Sequence, residues 1–354
     1  MLRTPLYNAH VQLGAKLVDF AGWEMPVQYA GIIAESKAVR EAAGMFDVSH
    51  MGRVWFKGEG AYDCLQGITT NDLGKLADWC SQYSLMCYEN GTCVDDIIVY
   101  RLAQDVFQVV INAANRDKDI AWMKSHMTGD VSFDDASDRT AMIAVQGPRA
   151  VEIVDILADE DITQVERFSA TKCTVAGHEM MACRTGYTGE DGFELILEAG
   201  FAEAVWDALA AAGVQPCGLA SRDVLRVEAG LPLYGHELSD QINPIEAGLG
   251  WVCAKEKQYI GSDAINAMRA AGPPRKLVGI RMESKIVPRE GYAVTQNGSP
   301  IGSVSSGVFS PMLDCGIAFA FVDKDAATLD VPCSVVVRDK EMPATVVNKR
   351  FLRA

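Results

Sequence analysis

Apolar residues fall at two spacings along this chain, and the mix changes near residue 271. Before that point, apolar positions three and four apart predict helices. They run over GIIAESKAVREAAGMF (31–46, closed by Gly44), DKDIAWMKSHM, FAEAVWDALAAAG (201–213, stopped by Gly213) and SRDVLRVEAG (221–230). In the last, Ser221 is placed to cap and Gly230 to end the helix. GRVWFKG and VFQVVINAA read as strands, and TAMIAVQGPRAVEIVDILA (140–158) as a strand, a tight turn at Gly147-Pro148 and a helix. From AGPPRK onward only short strands and turn pairs follow: LVGIRM, GYAVTQNGSPIGSVSSG, GIAFAFV, CSVVVRD and MPATVV. That texture predicts a small barrel or sandwich. The division is a mixed α/β body over 1–270, its internal boundary open, and an all-β domain over 275–354.

One stretch combines pattern with chemistry. MCYENGTCVDDIIVY, 86–100, has Asn90-Gly91 between two strand-like runs, a strong hairpin signal. With a two-residue loop, Glu89 pairs with Thr92, Leu85 faces Asp96, Tyr83 faces Ile98, and Ser81 faces Tyr100. Alternation then puts Asp96, Ile98 and Tyr100 on one face with Tyr83 and Leu85, and Asp95 on the other. A carboxylate among two phenols and two aliphatics suits a flat heterocycle. The plain alternative is a surface Asp beside a turn, and a bulge would shift the register by one and reverse the assignment.

Length changes the picture little: 354 residues suggest two or three lobes. The net charge of −15 disfavours a duplex-binding role and leaves room for a local basic pocket. None of the ten cysteines makes C-x-x-C, so they read as buried thiols of a reducing compartment. Neither a secretory signal nor a spanning apolar run is seen, so a soluble protein of the cytoplasm (or the mitochondrial matrix, if eukaryotic) is expected, with no membrane partner. The five histidines show no metal spacing, and no phosphate-loop or dinucleotide fingerprint occurs. His50, in DVSHMG, reads first as a structural hydrogen-bonding residue, and Asp47 and Met51 as loop and pocket-wall residues. Arg222 and Arg226, four apart on one helical face, read by themselves as a surface ion-pair helix with Asp223 and Glu228.

RTPLYNAHVQLGAKLVDFAGWEMPVQY, GMFDVSHMG, NGTCVDDIIVY, AVQGP, RTGYTGEDGFEL, GLASRDVLRVEAGLPLYGHEL, NPIEAGLGWV and GSVSSGVFSPML occur in this order. Together, over nearly the whole chain, they closely resemble the aminomethyltransferase (T-protein) family of the glycine cleavage system. The resemblance implies an α+β, three-lobed clover-leaf fold with a C-terminal all-β barrel. It implies transfer of the methylene carbon from the aminomethyl-lipoyl arm of the H-protein to tetrahydrofolate, giving 5,10-methylenetetrahydrofolate, ammonia and dihydrolipoyl-H-protein. The partners are then the lipoylated H-protein and tetrahydrofolate as co-substrate, with no metal, flavin, nucleotide or nucleic acid.

Carried over residue by residue, the resemblance makes Asp96 the catalytic carboxylate. It makes Tyr83, Tyr100, Asn112, Glu194, Arg222 and Met51 the folate-binding set, with Glu194 on the pterin edge. Arg226 stays structural, and Arg350 and Arg353 are possible contacts for the folate tail. Two other readings stand beside it: another tetrahydrofolate-dependent one-carbon transferase or demethylase of the superfamily, and a folate-binding iron–sulfur assembly factor. The assembly factors resemble one another in a KGCYxGQE-like motif. KEKQYIGSDA, residues 255–264, has no cysteine in that place.

Overall fold

The computed structural model describes residues 1–352, so Arg353 lies outside the described residues. It divides into two compact units. One comprises Met1–Ile68, Asp72–Ser84 and Ile97–Arg222; the other comprises Thr69–Asn71, Leu85–Asp96 and the chain from Asp223 onward.

The first unit is built on a six-stranded sheet. Its order is Ala170–Val175, His178–Cys183, Gly192–Glu198, Thr140–Gln146, Gly44–Asp47 and Gln215–Pro216. The helices Ala150–Ile156 and Ala202–Ala211 bury Ile153, Val154, Val205, Trp206 and Leu209 in one apolar cluster with Met45, Ile143, Val145, Phe193 and Leu195 from the strands. Burying a side chain of this size stabilises by roughly 1.5–3 kcal/mol, so this cluster anchors everything the sheet presents at its strand ends. Gly147 (φ +135°) makes the tight turn after Thr140–Gln146, and Gly213 (φ +90°) follows the helix over 202–211, both as their positions predict.

The first helix departs from expectation. It spans Ile32–Glu41, and Gly44 does not stop it but opens the strand Gly44–Asp47. The glycine is needed for close packing: a Cβ there would lie 2.5 Å from Val39 Cγ2 and 2.7 Å from Cys217 Sγ. Ser221 is no cap either. The helix starts at Leu219, and the Ser221 hydroxyl lies within hydrogen-bond distance of two acceptors, Gly218 O (2.8 Å) and Glu35 Oε2 (3.1 Å), which share its one hydrogen. Gly230 ends that helix at φ +84°.

A second sheet has the order Cys80–Cys87, Cys93–Ala103, Val106–Ile111, Gly52–Lys57 and Ser132–Asp135. Its first two strands form the hairpin of the VDD motif, but not through a two-residue loop. Gly91 N–H donates to Tyr88 O (2.8 Å) and Tyr88 N–H to Thr92 O (2.9 Å), which leaves three residues in the loop. Only Gly91 has positive φ, as a three-residue loop with a bulge requires and a type I′ turn forbids. The Asn90 carboxamide holds the alternative, accepting from Thr92 N (3.0 Å) and Thr92 Oγ1 (2.7 Å). Pairing outward from Tyr88 and Thr92 therefore sets Leu85 against Asp95, not Asp96. The argument that put Tyr83 and Leu85 on the Asp96 face falls with the loop it was counted from.

In the second unit, six strands close into a barrel. The order is Arg275–Met282, Cys315–Asp323, Ser299–Ser310, Ala293–Gln296, Val331–Val337 and Lys340–Val347, the last pairing back to the first. Val278, Ile280, Val294, Ala318, Ala320, Val335 and Val346 fill it. Asn297-Gly298 does form the two-residue type I′ loop, with φ +52° and +76°. Arg226 is 2% exposed, so the surface ion-pair reading of its helix is corrected. Its guanidinium donates to Glu237 Oε2 (2.9 Å), Ser306 Oγ (2.7 Å) and Asp223 Oδ1 (2.8 Å), while Glu228 accepts from Ser310 Oγ (2.6 Å). These bonds tie the helix end to a barrel strand.

Candidate active site

Of the seven candidate residues, Asp96 belongs to the second unit and the other six to the first. The first unit brings Tyr100, Glu194 and Arg222 into one cluster.

Glu194 comes from the middle of Gly192–Glu198, flanked by Ala144 on one neighbouring strand and Cys183 on the other. It is 6% exposed. Its Oε2 accepts from Thr185 Oγ (2.6 Å), and Thr185 Oγ is 2.9 Å from the hydroxyl of fully buried Tyr100. Among the described residues nothing bonds the other oxygen, Oε1. Burial pushes the Glu194 carboxyl up, and the Thr185 bond and the charge of Arg222 oppose it.

Arg222, in the first turn of Leu219–Ala229, packs its guanidinium over the Tyr187 ring (4.9 Å) and near Phe46 (6.0 Å). Its Nη1 is buried with no protein partner. Burial lowers its pKa, while Glu194 and then Tyr187 raise it. A stacked cation with an unused donor beside a carboxylate with an unused acceptor can grip a ligand that carries both hydrogen-bonding types.

The loop before Gly52–Lys57 carries His50 and Met51. Asp47 and Arg53 pin it. The Asp47 carboxylate accepts from Thr4 Oγ (2.6 Å), His10 Nε2 (2.9 Å) and Ser49 N (2.9 Å), and His10 Nδ1 pairs with Tyr29 OH (2.8 Å). Burial pushes Asp47 up, but the bond and charge of His10, then Thr4 and Ser49, hold it at about 2. Fully buried Arg53 donates to the carbonyls of Ser49 (3.1 Å), Met51 and Thr140 (2.9 Å). His50 is 5% exposed, edge-on to Phe20 (5.5 Å), and its Nδ1 has no partner. The purely hydrogen-bonding role expected of it is therefore not met at that nitrogen. Burial lowers its pKa to about 4, with Arg222 and Arg53 adding to the shift and Asp47 opposing it.

Met51 and Tyr83 are part-buried. So is Asn112, which opens the short turn Ala113–Asn115 after Val106–Ile111. Gln108, opposite Tyr100 on that strand, has its Oε1 buried and unpartnered. In the second unit, Asp95 is fully buried. Beside it the Tyr234 phenol is pushed up, by burial first and then by the Asp95 charge. Asp96, next along the strand, is part-buried. Arg350 is exposed, its backbone N–H donating to Asn348 Oδ1 (2.9 Å).

Three residues escaped the sequence reading: Thr185, Tyr187 and Gln146. Gln146 Nε2 donates to Thr185 O (3.0 Å) and its Oε1 accepts from Thr188 Oγ (2.8 Å), which clamps the loop carrying the other two. The available signal was RTGYTGEDG itself. So many glycines in one loop mark close backbone approach, and its hydroxyls and phenol are what that approach delivers.

This combination is an α+β fold with a buried polar cluster in one unit and a C-terminal barrel in the other. Known proteins match the chain along its length. The family profile of the GCVT N-terminal domain matches residues 6–257, and that of the glycine cleavage T-protein C-terminal barrel domain matches residues 275–352. The chain is 47% identical to the aminomethyltransferase of Shouchella clausii, covering 100% of this chain and 98% of that one. It is 43% identical to that of Bacillus subtilis, covering 99% of each. The crystal structure of glycine cleavage system aminomethyltransferase T from Bartonella henselae matches with a TM-score of 0.93 at 31% identity, over 99% of this chain and 98% of that one. The chain belongs to the glycine cleavage T-protein family and is an aminomethyltransferase of that system. These relatives do not favour the demethylase or assembly-factor readings.

Proposed function

We propose that the enzyme takes the methylene carbon of the aminomethyl group from the lipoyl arm of an H-protein and hands it to tetrahydrofolate. The products are 5,10-methylenetetrahydrofolate, ammonia and dihydrolipoyl-H-protein. The body over 1–270 binds the folate, and the barrel over 275–354 completes the fold. The cytoplasm is the proposed site of action; among the described residues no helix is long and apolar enough to cross a membrane.

The observation that carries the reading is the state of Glu194. It is a buried carboxylate with one oxygen tied to Thr185 and the other open. A pterin edge offers an N–H and an amino group side by side, and a carboxylate is their natural acceptor. Arg222 supplies the complementary donor. Tyr83, Tyr100, Asn112 and Met51 line the folate in this reading.

Asp96 is the proposed catalytic group. As the folate nitrogen attacks a one-carbon unit at the iminium level, a carboxylate can accept the nitrogen's proton and steady the developing cation. The part-buried state of Asp96, against the complete burial of Asp95, supports this choice. The test is steady-state turnover with lipoylated H-protein. Asp96→Asn is expected to lose roughly 10²–10⁴ in kcat with folate binding retained. Asp95→Asn should lose far less of kcat per folded molecule. Equal, mild losses in both would remove Asp96 from the chemistry.

A further inference from the structure

Thr185 stands between the two side chains of the cluster that would meet a folate, and it is itself no part of the ligand set named above. We propose that Thr185 is a positioning residue for the transfer reaction: it fixes one oxygen of Glu194 and so turns the other toward the donor edge of tetrahydrofolate. This rests on the reading of Glu194 as a folate ligand.

The argument begins with hydrogen counting. A threonine hydroxyl has one hydrogen, and an ionised carboxylate has none to give. The 2.6 Å contact is therefore Thr185 donating to Glu194 Oε2, and the 2.9 Å contact must be Tyr100 donating to Thr185. The chain runs one way, Tyr100 to Thr185 to Glu194, each link polarising the next.

Thr185 cannot drift out of it. Its N–H donates to Cys183 O (2.8 Å) and its carbonyl accepts from Gln146 (3.0 Å). Gly186 beside it has no room for a side chain, since a Cβ would lie 1.8 Å from Gln146 Oε1. The titratable groups that face Glu194 are Cys183 across the sheet, Tyr100 and Arg222. Burial pushes the thiol and the phenol well up, so both are neutral, and Arg222 is the cation. Among the described residues, Thr185 is then the donor that bonds the carboxylate directly.

Thr185→Val keeps the shape and removes the hydroxyl; Thr185→Ser keeps the hydroxyl. Both are assayed with tetrahydrofolate and lipoylated H-protein between pH 5 and 8. T185V is expected to raise KM for tetrahydrofolate about tenfold with kcat within about threefold, the loss of one hydrogen bond to a charged group. Without its donor the carboxyl keeps its proton to higher pH. The acid limb of kcat/KM should therefore move up by about one pH unit. T185S should stay within about threefold of the parent in both. If T185V does not accumulate folded, Thr185→Ala is read in its place.

A parental KM and an unmoved acid limb in the variant lacking the hydroxyl would overturn the proposal. So would T185S as impaired as T185V. Glu194→Gln separates the two layers. If it leaves KM for tetrahydrofolate unchanged, the folate reading of Glu194 fails; if it raises KM while T185V does not, only the positioning role fails.

Discussion

Asp47→Asn should cost stability in a way that fades with acid. The carboxylate accepts from Thr4, His10 and Ser49, and it is held at about 2 against an ordinary 3.8. At ~1.4 kcal/mol per unit, that difference is worth ~2–3 kcal/mol at neutral pH. The sign follows from the depressed value. The contribution is complete above the unfolded carboxyl's pKa, near 4, and is lost as pH falls through about 2; roughly half remains at pH 3. Asparagine keeps the shape but cannot be an anion, so the gap between parent and D47N should be ~2–3 kcal/mol at pH 7 and about half that at pH 3. Urea unfolding followed by tryptophan fluorescence at pH 7, 5, 4 and 3 measures it. A gap of equal size at pH 7 and pH 3 would show that lost packing, and not the charge, is what the mutation removes. A gap under ~0.5 kcal/mol at pH 7 would refute the reasoning altogether. Because Asp47 also holds Ser49, D47N should loosen the loop that presents His50 and Met51 and lower kcat/KM for tetrahydrofolate.

His50, lowered to about 4, is neutral in the folded protein while its unfolded counterpart protonates below 6.5. Its contribution is whole above pH 6.5 and falls as pH drops toward 4, and its imidazole NMR shifts should stay flat from pH 8 to 5; a midpoint above ~5.5 would contradict this. Arg226→Met leaves Glu237 buried beside Ser305 and Leu233 N without its cation, at a cost of about 3–5 kcal/mol. Adding Glu237→Met should recover most of that in thermal unfolding, and a double variant no more stable than the single one would show that the pair is not the source.

The barrel was the most legible part of the fold because turn residues that fix their own conformation separate its strands; the strands themselves do not all alternate, and Cys315–Asp323 is buried at every position but the last. Asn297-Gly298 does what the dipeptide predicts. Asn90-Gly91 carries the same two residues and does not: there the Asn90 side chain accepts from the Thr92 N–H and hydroxyl in a three-residue loop, although Ser299 stands in the same place after Asn297-Gly298. Gly44 misled for a related reason. A glycine after an amphipathic run reads as a helix stop, yet here it admits Val39 and Cys217, and that demand belongs to residues far apart in sequence.

The same distinction decides which site residues could be found in advance. Glu194 and Arg222 were named only through the resemblance: by itself Arg222 read as part of a surface ion-pair helix, and burial of either side chain is a property of the fold. Thr185 has no such mark: threonine is common in loops, and its meaning appears only when Cys183 lies opposite Glu194 and Tyr100 reaches the same hydroxyl from another strand. Burial makes the difference one of energy. An ionised carboxylate at the surface would find water for its second oxygen pair; one that is 6% exposed depends on the protein, which here bonds one oxygen and leaves the other open. The protein's half of that arrangement is a single neutral hydroxyl, held by a glutamine on the neighbouring strand. The charged pair was reachable through the blocks it lies in, whereas the neutral hydroxyl beside it emerges only once strand register sets Cys183 opposite Glu194.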